Sequence, residues 1–285
     1  MHKVGLVLAR GRNAGKAGPG DRTGETAPRS HVFEEAFSPI FDESILDGND
    51  SSRIPAWWRI AREVQRRQAD YDAVVTWGEK VSFALLIQQQ LARANKPHIA
   101  MMYQFEKPNI RVPLRALKKN LHSVITWSSV QRQALIERIG FPSQRVYLIR
   151  HYVDQLFYGP RPAEEDMICA VGAEMRDYAT LLQAIQGTGL KCHLATDHVR
   201  IPGRLRLLND RRVPIGHIGV PSDDRITAGR LSLTELRDLY ARSRFVVVPL
   251  LPSDTDNGVT VILEAMAMCK AVFCSRTRGQ VDVIQ

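Results

Sequence analysis

Two acidic residues, Asp256 and Glu264, stand eight positions apart near the end of the chain. Asp256 lies in the polar stretch SDTDNG, and Glu264 is predicted to open the apolar run that follows, at the start of a helix. A single carboxylate near the start of a helix is explained by the helix dipole, which favours negative charge there. Two carboxylates separated by a loop give two acceptors at one edge of a sheet, which suits the paired hydroxyls of a sugar. The residues alone leave helix capping and a sugar or nucleotide site as open alternatives.

A candidate anion site occurs in the stretch AVGAEMRDY, where a strand is predicted to end in a glycine turn before a helix. Gly172 supplies the turn, and such turns direct backbone N–H groups and a helix dipole toward a bound anion. Arg176 follows, and its guanidinium can donate two parallel charge-assisted hydrogen bonds to a diphosphate. An exposed residue at a helix start is the alternative interpretation of Arg176.

Two further motifs are weaker. The stretch GRNAGKAG at 11–18 follows the first predicted strand, but Gly11 and Gly15 enclose three residues where a nucleotide-binding P-loop needs four. A glycine-rich turn near a ligand's phosphates is the better interpretation of that stretch. The stretch DTD at 254–256 has the form of a metal-binding acidic pair, but a solvated turn explains Asp254 better.

Composition limits the functional classes. The chain has 285 residues and a net charge of +9, which favours anionic partners such as nucleic acid, an acidic membrane surface or a phosphorylated small molecule. The absence of interleaved aromatic residues disfavours nucleic acid. No apolar run of eighteen residues occurs, which predicts no transmembrane helix. The four cysteines have no C-x-x-C spacing, which indicates buried free thiols in a reducing cytosol.

Strand and helix patterns alternate along the chain, which predicts an α/β fold with parallel sheets. This alternation of strands and helices is interrupted at 158–166 by two prolines, a glycine and a charge cluster, and it then resumes. We therefore predict two domains, 1–157 and 158–285. The predicted strands are KVGLVLA, DAVVTW, HIAMMY, SVITWS, RVYLIRH, MICAVG, KCHLAT, RFVVVPL and AVFCS, and the predicted helices are 59–68, 81–94, 130–139, 178–186, 233–241 and one that carries Glu264.

The stretch VILEAMAMCKAVFCSRTRGQVDVI resembles the C-terminal signature of family-4 retaining glycosyltransferases of the GT-B fold. The resemblance continues through AVGAEMRDYATLLQAI and GRLSLTELRDLYARSRFVVVPLLPSDTDNG, covers about 145–285 well and is low-grade before that. It implies two Rossmann-like α/β domains that face a cleft, with 1–157 on the acceptor side and 158–285 binding the nucleotide sugar. The implied reaction transfers a hexosyl unit from a nucleoside-diphosphate sugar and retains its anomeric configuration.

The resemblance also implies roles for particular residues. The family's paired acids fall on Asp256 and Glu264, so that Glu264 would hold the ribose hydroxyls and Asp256 would contact the donor sugar. Arg176 aligns with the basic residue that neutralises the diphosphate. The implied set that binds the donor nucleotide and diphosphate is Gly172, Arg176, Asn257, Gly258, Val259, Thr260 and Glu264. Neither a metal nor a cofactor is implied, because cationic side chains and helix N-termini stabilise the leaving group.

The chain departs from the family pattern at several positions. Asp256 is one methylene shorter than the usual glutamate, and Ala173 stands where many members carry a phosphate-binding arginine. Cys269 replaces the usual glycine at the end of the Glu264 helix, where a left-handed conformation would cost about 1 kcal/mol. The family continues beyond the position of Gln285, so the second domain is expected to be incomplete.

The leading hypothesis is a metal-independent retaining glycosyltransferase whose partners are a nucleotide sugar and a glycan or lipid-linked, cell-envelope acceptor. Its expected location is the cytoplasm, where the basic charge is compatible with peripheral contact at an anionic membrane face. The departures at Ala173 and Asp256 support an alternative, a non-catalytic nucleotide-sugar-binding protein of the same fold. Nucleic acid is not an expected partner.

Overall fold

The computed structural model describes residues 4–8, 25, 27–28, 41–44, 54–93, 96–103, 105, 108–163, 165–196, 198–201, 204–207, 213–214 and 224–284. The glycine-rich stretch at 11–18 lies outside these residues. The chain divides into two compact units. Unit 1 ends at Arg150, and unit 2 runs from His151 onward and includes the described residues of 21–29. The sequence analysis placed the boundary after residue 157.

Unit 1 is built on a six-stranded, fully parallel sheet with the order β2-β1-β3-β4-β5-β6. Its strands are β1 (Val4–Leu8), β2 (Phe41–Ser44), β3 (Ala73–Trp77), β4 (His98–Met101), β5 (Ser123–Thr126) and β6 (Val146–Leu148). Its helices are α1 (Ala56–Arg66), α2 (Glu79–Leu91), α3 (Pro108–Leu117) and α4 (Ser129–Ala134), which continues as a π-helical turn over Leu135–Ile139.

The core of unit 1 lies between one face of this sheet and the four helices. Val74, Ala100 and Val124 in the central strands are fully buried beneath helical residues such as Leu85 and Leu135. The α4 segment ends as predicted at Gly140, which takes the left-handed conformation.

Unit 2 contains a second six-stranded sheet with the order β11-β12-β8-β7-β13-β14, in which only the β11–β12 pair is antiparallel. Its strands are β7 (Met167–Val171), β8 (Lys191–Ala195), β11 (Val213–Pro214), β12 (Ile226–Gly229), β13 (Phe245–Val248) and β14 (Ala271–Cys274), and a separate hairpin joins β9 (His198–Ile201) to β10 (Arg204–Leu207). Its helices are α5 (Tyr178–Ile185), α6 (Leu233–Arg242) and α7 (Val259–Ala267).

Strand β7 is the centre of unit 2, and all five of its residues are buried. Ile168 and Ala170 pack against α5 on one face, while Cys169 and Val171 pack with residues of α6 and α7 on the other. The neighbour of β7 along the chain, β8, lies on one side of it, and β13 lies on the other. The strand order therefore reverses between β7 and β13, and ligands of doubly wound sheets bind at such a switch point.

The predicted α/β alternation is confirmed: every predicted strand and helix is present in the described chain. Helix α3 and strands β2 and β9–β12 were not predicted from the sequence. Helix α3 contains Pro113, a residue that normally argues against a helix interior.

The four cysteines are free thiols. Cys169 and Cys192 are buried as predicted, and burial raises the pKa of the Cys169 thiol to about 12. Cys269 is exposed, contrary to the prediction of a buried thiol. Its φ of 55° confirms the predicted left-handed conformation after α7. The Cys269 N–H donates to the Met266 carbonyl at 3.0 Å and the Lys270 N–H donates to the Ala265 carbonyl at 2.9 Å, which is the hydrogen-bond pattern of a glycine-type helix end.

Candidate functional site

The candidate site lies at the carboxyl ends of β7 and β13, where the strand order of unit 2 reverses. The loop after β7 and the loop after β13 are joined by backbone hydrogen bonds. The Leu251 N–H donates to the Met175 carbonyl at 2.9 Å, and the Asp177 N–H donates to the Pro249 carbonyl at 2.9 Å. The two loops therefore form one surface, and the residues predicted to bind an anion belong to both of them.

Arg176 is a buried cation at the centre of this surface, with 9% of its area exposed. Its Nε donates to the Val171 carbonyl at 2.8 Å and its Nη1 donates to the Glu174 carbonyl at 2.8 Å. Burial lowers the pKa of Arg176. Within the described chain no carboxylate lies at ion-pair distance from it. The predicted alternative, an exposed residue at a helix start, is wrong.

Two glycines make room for this guanidinium. Gly172 has a φ of +96°, and a Cβ atom on it would lie 2.6 Å from Arg176 Nη2. Gly258 has a φ of +87°, and a Cβ atom on it would lie 2.8 Å from Val248 Cγ1 and 3.5 Å from Arg176 Nη1 and Nη2. Both positions therefore require glycine, for backbone conformation and for space. The structure brings Gly258 next to Gly172 and Arg176, although it is far from both in the sequence.

Helix α7 begins directly after Gly258, and no side chain caps its N-terminus. Val259 is buried and its N–H donates to the Asp256 carbonyl at 3.3 Å, while Thr260 is exposed. The N–H groups of a first helical turn have no partners within the helix and carry a partial positive charge. An anion beside Arg176 would thus meet a second source of positive potential at Gly258, Val259 and Thr260.

The loop before α7 is a polar network of its own. The Asn257 side chain donates to Ser253 Oγ at 3.2 Å and contacts Thr255 Oγ1. The Asn257 backbone carbonyl accepts from Gln280 Nε2 at 2.6 Å. Gly279 packs so closely that a Cβ atom on it would lie 1.8 Å from the Thr255 carbonyl oxygen. The Asn257 side chain therefore shapes the loop, and its backbone stands next to the helix start.

Glu264 is the sixth residue of α7, so the expectation that it lies at a helix N-terminus is wrong. The apolar periodicity of this helix begins at Val259, five residues earlier. Glu264 is half-buried, and its Oε2 accepts a hydrogen bond from the Tyr240 hydroxyl at 2.7 Å. Burial raises the pKa of Glu264, and interactions with the hydroxyls of Tyr240 and Tyr158 offset part of that rise. Glu264 therefore does not cap the helix. The fold holds its carboxylate in place although burial disfavours the charged form.

Asp256 is held by a residue from the beginning of unit 2. His151 Nε2 lies 2.5 Å from Asp256 Oδ2, and the two side chains are 23% and 12% exposed. Asp254, by contrast, pairs with Arg278 at 3.5 Å, which agrees with its interpretation as part of a solvated turn.

Three residues in contact with the predicted acids, Tyr158, Tyr240 and His151, were not predicted from the sequence. Tyr158 was assigned to an interdomain linker, but it is 2% exposed and packs edge-on against Phe157 and Tyr240. Two adjacent aromatic residues before a Gly-Pro pair were the available signal. Tyr240 and His151 carried no local signal, because each acts through a contact with a residue far along the chain.

The described residues lack both a metal-ligand cluster and a membrane-spanning helix. Among the described residues no three His, Cys, Asp or Glu side chains are grouped so that they could hold a metal ion. None of the helices in the described ranges has the length and apolar character needed to cross a bilayer.

Comparison with known proteins gives structural neighbours only. The sequence matches no protein-family profile and no curated protein. HepE of Anabaena, solved in complex with UDP, superposes with a TM-score of 0.63 at 15% identity, over 100% of this chain and 83% of that one. A glycosyltransferase of Rickettsia africae gives 0.60 at 14% identity, over 100% and 82%. The α,α-trehalose 6-phosphate synthase of Burkholderia multivorans gives 0.61 at 10% identity, over 98% and 84%.

At these identities the likeness establishes the fold and not the activity. The two α/β units, each with a largely parallel sheet, and the neighbours that span the whole chain identify an α/β structure of the GT-B fold, with two Rossmann-like units.

Proposed function

We propose that this protein is a retaining glycosyltransferase of family 4 that transfers a hexosyl unit from a nucleoside-diphosphate sugar. The observation that carries the proposal is Arg176, a buried guanidinium without a carboxylate partner in the described chain, enclosed by Gly172 and Gly258 at the switch point of the unit 2 sheet. A buried charge is costly unless something compensates it. A diphosphate supplies that compensation, and its two phosphates match the fork of an arginine.

The same arrangement explains how the reaction would proceed. Cleavage of the bond between the sugar and the diphosphate leaves negative charge on the phosphate oxygen. Arg176, held in place by the Val171 carbonyl, and the uncapped start of α7 would stabilise such charge, as preorganised groups do when they lower a barrier. We therefore expect no metal requirement and no cofactor, with the nucleotide sugar as the donor substrate.

The two acids would serve different parts of the donor. Glu264, fixed by Tyr240, would accept hydrogen bonds from the ribose hydroxyls. Asp256, fixed by His151, would contact the donor sugar. Gly172, Asn257, Gly258, Val259 and Thr260 would surround the diphosphate through backbone groups. The unfavourable burial of Glu264 supports a functional role, because a purely structural position would favour a neutral side chain.

Only the net charge of the chain bears on the identity of the acceptor. We propose a glycan or lipid-linked acceptor of the cell envelope, handled by a cytoplasmic enzyme. The net charge of +9 would favour peripheral contact with an anionic membrane face.

The experiment that tests this proposal is donor turnover in the presence of EDTA. Purified protein is incubated with UDP-, GDP- and ADP-hexoses, and release of the nucleotide and the anomer of the released sugar are followed by NMR. The proposal predicts slow, metal-free hydrolysis of one donor class with the anomeric configuration retained in the first product formed. Inversion, or turnover that EDTA abolishes, would contradict it.

The alternative is a non-catalytic protein that binds a nucleotide sugar. It is favoured by Ala173, which offers no arginine to the phosphates, and by the His151 contact that already engages one oxygen of Asp256. Tight binding of a nucleotide sugar without hydrolysis or transfer would support this alternative.

A further inference from the structure

His151 and Asp256 meet within unit 2 although 105 positions separate them in the chain. The imidazole Nε2 lies 2.5 Å from the carboxylate Oδ2, and both side chains are partly buried. The Asp256 backbone is fixed as well, because its carbonyl accepts from the Val259 N–H at 3.3 Å. The pair therefore defines the orientation of one carboxylate at the start of α7, two residues before Gly258.

We propose that His151 is a positioning residue that adapts the shortened acid at 256 to its task. The inference rests on the proposed function. A glutamate would reach about 1.5 Å further than Asp256, the length of one carbon–carbon bond. Because the imidazole Nε2 lies 2.5 Å from the carboxylate of the shorter acid, we expect it to crowd a longer side chain at position 256. His151 and Asp256 together would thus take the role that a single glutamate has in the family that this sequence resembles.

The chemistry of the contact suits this role. An imidazole N–H that donates to a carboxylate forms a strong hydrogen bond, stronger still when the ring is protonated. Such a bond fixes the plane of the carboxylate and removes rotational freedom that a substrate would otherwise have to restrain. His151 acts through Asp256 and need not touch the donor itself.

A four-way comparison of the full chain tests this role. Donor turnover and UDP affinity are measured for the wild type, His151→Ala, Asp256→Glu and the double variant. Each single change should lower kcat about tenfold or more, since the carboxylate is either unrestrained or crowded by the imidazole. The double variant should recover most of the loss, because the longer acid then occupies the vacated space. The Kd for UDP, which lacks the sugar, should change less than threefold in all four.

Two further variants separate positioning from folding. His151→Gln places an amide N–H near the position of Nε2 and should retain more activity than His151→Ala. His122→Ala removes an exposed histidine of unit 1 that bonds Ser123 and should change neither kcat nor Kd. Thermal unfolding of each variant identifies any that fails to fold, in which case His151→Gln alone carries the comparison with the wild type.

The outcomes distinguish this inference from the proposed function. If the wild type turns over a donor and His151→Ala does so at the same rate, the positioning role is overturned while the proposed function stands. Additive losses in the double variant also overturn it, because they show that the acid and the imidazole do not share one space. A wild type without donor turnover overturns the catalytic proposal and this inference with it.

Discussion

Replacing Glu264 by glutamine separates its function from its structural role. The amide keeps the shape of the side chain and an oxygen that can accept the Tyr240 hydroxyl, so the local packing is retained. It removes the charge and one of the two acceptors that a pair of ribose hydroxyls would use. Loss of a charged hydrogen bond costs about 1.5–3 kcal/mol, so the Kd for UDP should rise about 10- to 150-fold.

The stability of the same variant should change in the opposite direction. Burial raises the pKa of Glu264 above its ordinary value of 4.5, so the folded protein binds this proton more tightly than the unfolded chain does. The contribution of Glu264 to stability therefore falls as the pH rises above 4.5 toward the folded-state pKa, and it stays at its lowest above that value. Glutamine does not titrate, so the free energy of unfolding of the variant should rise relative to that of the wild type as the pH increases from 4.5 to the folded-state pKa. At pH 7 the variant should be at least as stable as the wild type.

Calorimetry with UDP and urea unfolding at pH 4.5 and pH 7 measure the two effects. Glu137→Gln is the matched control, because Glu137 is an exposed glutamate of unit 1 that bonds only its helical neighbour Gln133 in the described chain. It should alter neither quantity. The reasoning would be refuted by a Glu264→Gln protein that binds UDP like the wild type and unfolds more easily at pH 7, since that result describes a purely structural acid.

Further predictions concern four other positions. Gly172→Ala should weaken UDP binding because its Cβ would displace Arg176, whereas Gly187→Ala, which has a φ of +76° and nothing within 4 Å of an added Cβ, should lower stability alone; calorimetry and thermal unfolding distinguish them. Cys269→Gly should raise the free energy of unfolding by about 1 kcal/mol in urea titrations, and Cys269→Ala should not, because only glycine relieves the left-handed strain. Burial lowers the pKa of His98 to about 3, so the contribution of this neutral imidazole to the stability of unit 1 is complete above pH 6.5. This contribution should be lost progressively as the pH falls below 6.5, by at most about 5 kcal/mol. Tryptophan fluorescence measures the unfolding of unit 1, and His98→Gln should make its stability less dependent on pH.

Local signals in the sequence were sufficient for most of the helices and strands and for naming the residues of the candidate anion site. Strand β7 is a run of five apolar residues followed by Gly172, so both the strand and the turn could be predicted. Arg176 was identified from the glycine turn that precedes it, and Gly258 was named through the family resemblance. What the sequence could not supply was the contact between Arg176 and the two glycines, because that contact depends on which strands are neighbours in the sheet.

The errors have physical reasons. Glu264 was placed at a helix start, yet the apolar residues Val259, Val261 and Ile262 that precede it already belong to α7. Tyr158 was assigned to a linker because prolines follow it, although its ring is buried. His151 could not be assigned at all, since a histidine acquires a role only from the carboxylate that the fold brings to it.

The central claim is that a nucleoside diphosphate binds at Arg176, and calorimetry with UDP, GDP and uridine in EDTA tests it most directly. The wild type should bind one of the diphosphates without metal and should bind uridine much more weakly, because only the diphosphate compensates the buried guanidinium. Arg176→Gln should cost about 2–5 kcal/mol of diphosphate binding, roughly 30-fold or more in Kd, and should leave the uridine affinity unchanged. Equal affinities for UDP and uridine, diphosphate binding that is indifferent to Arg176, or no binding of either diphosphate by the folded wild type would contradict the account.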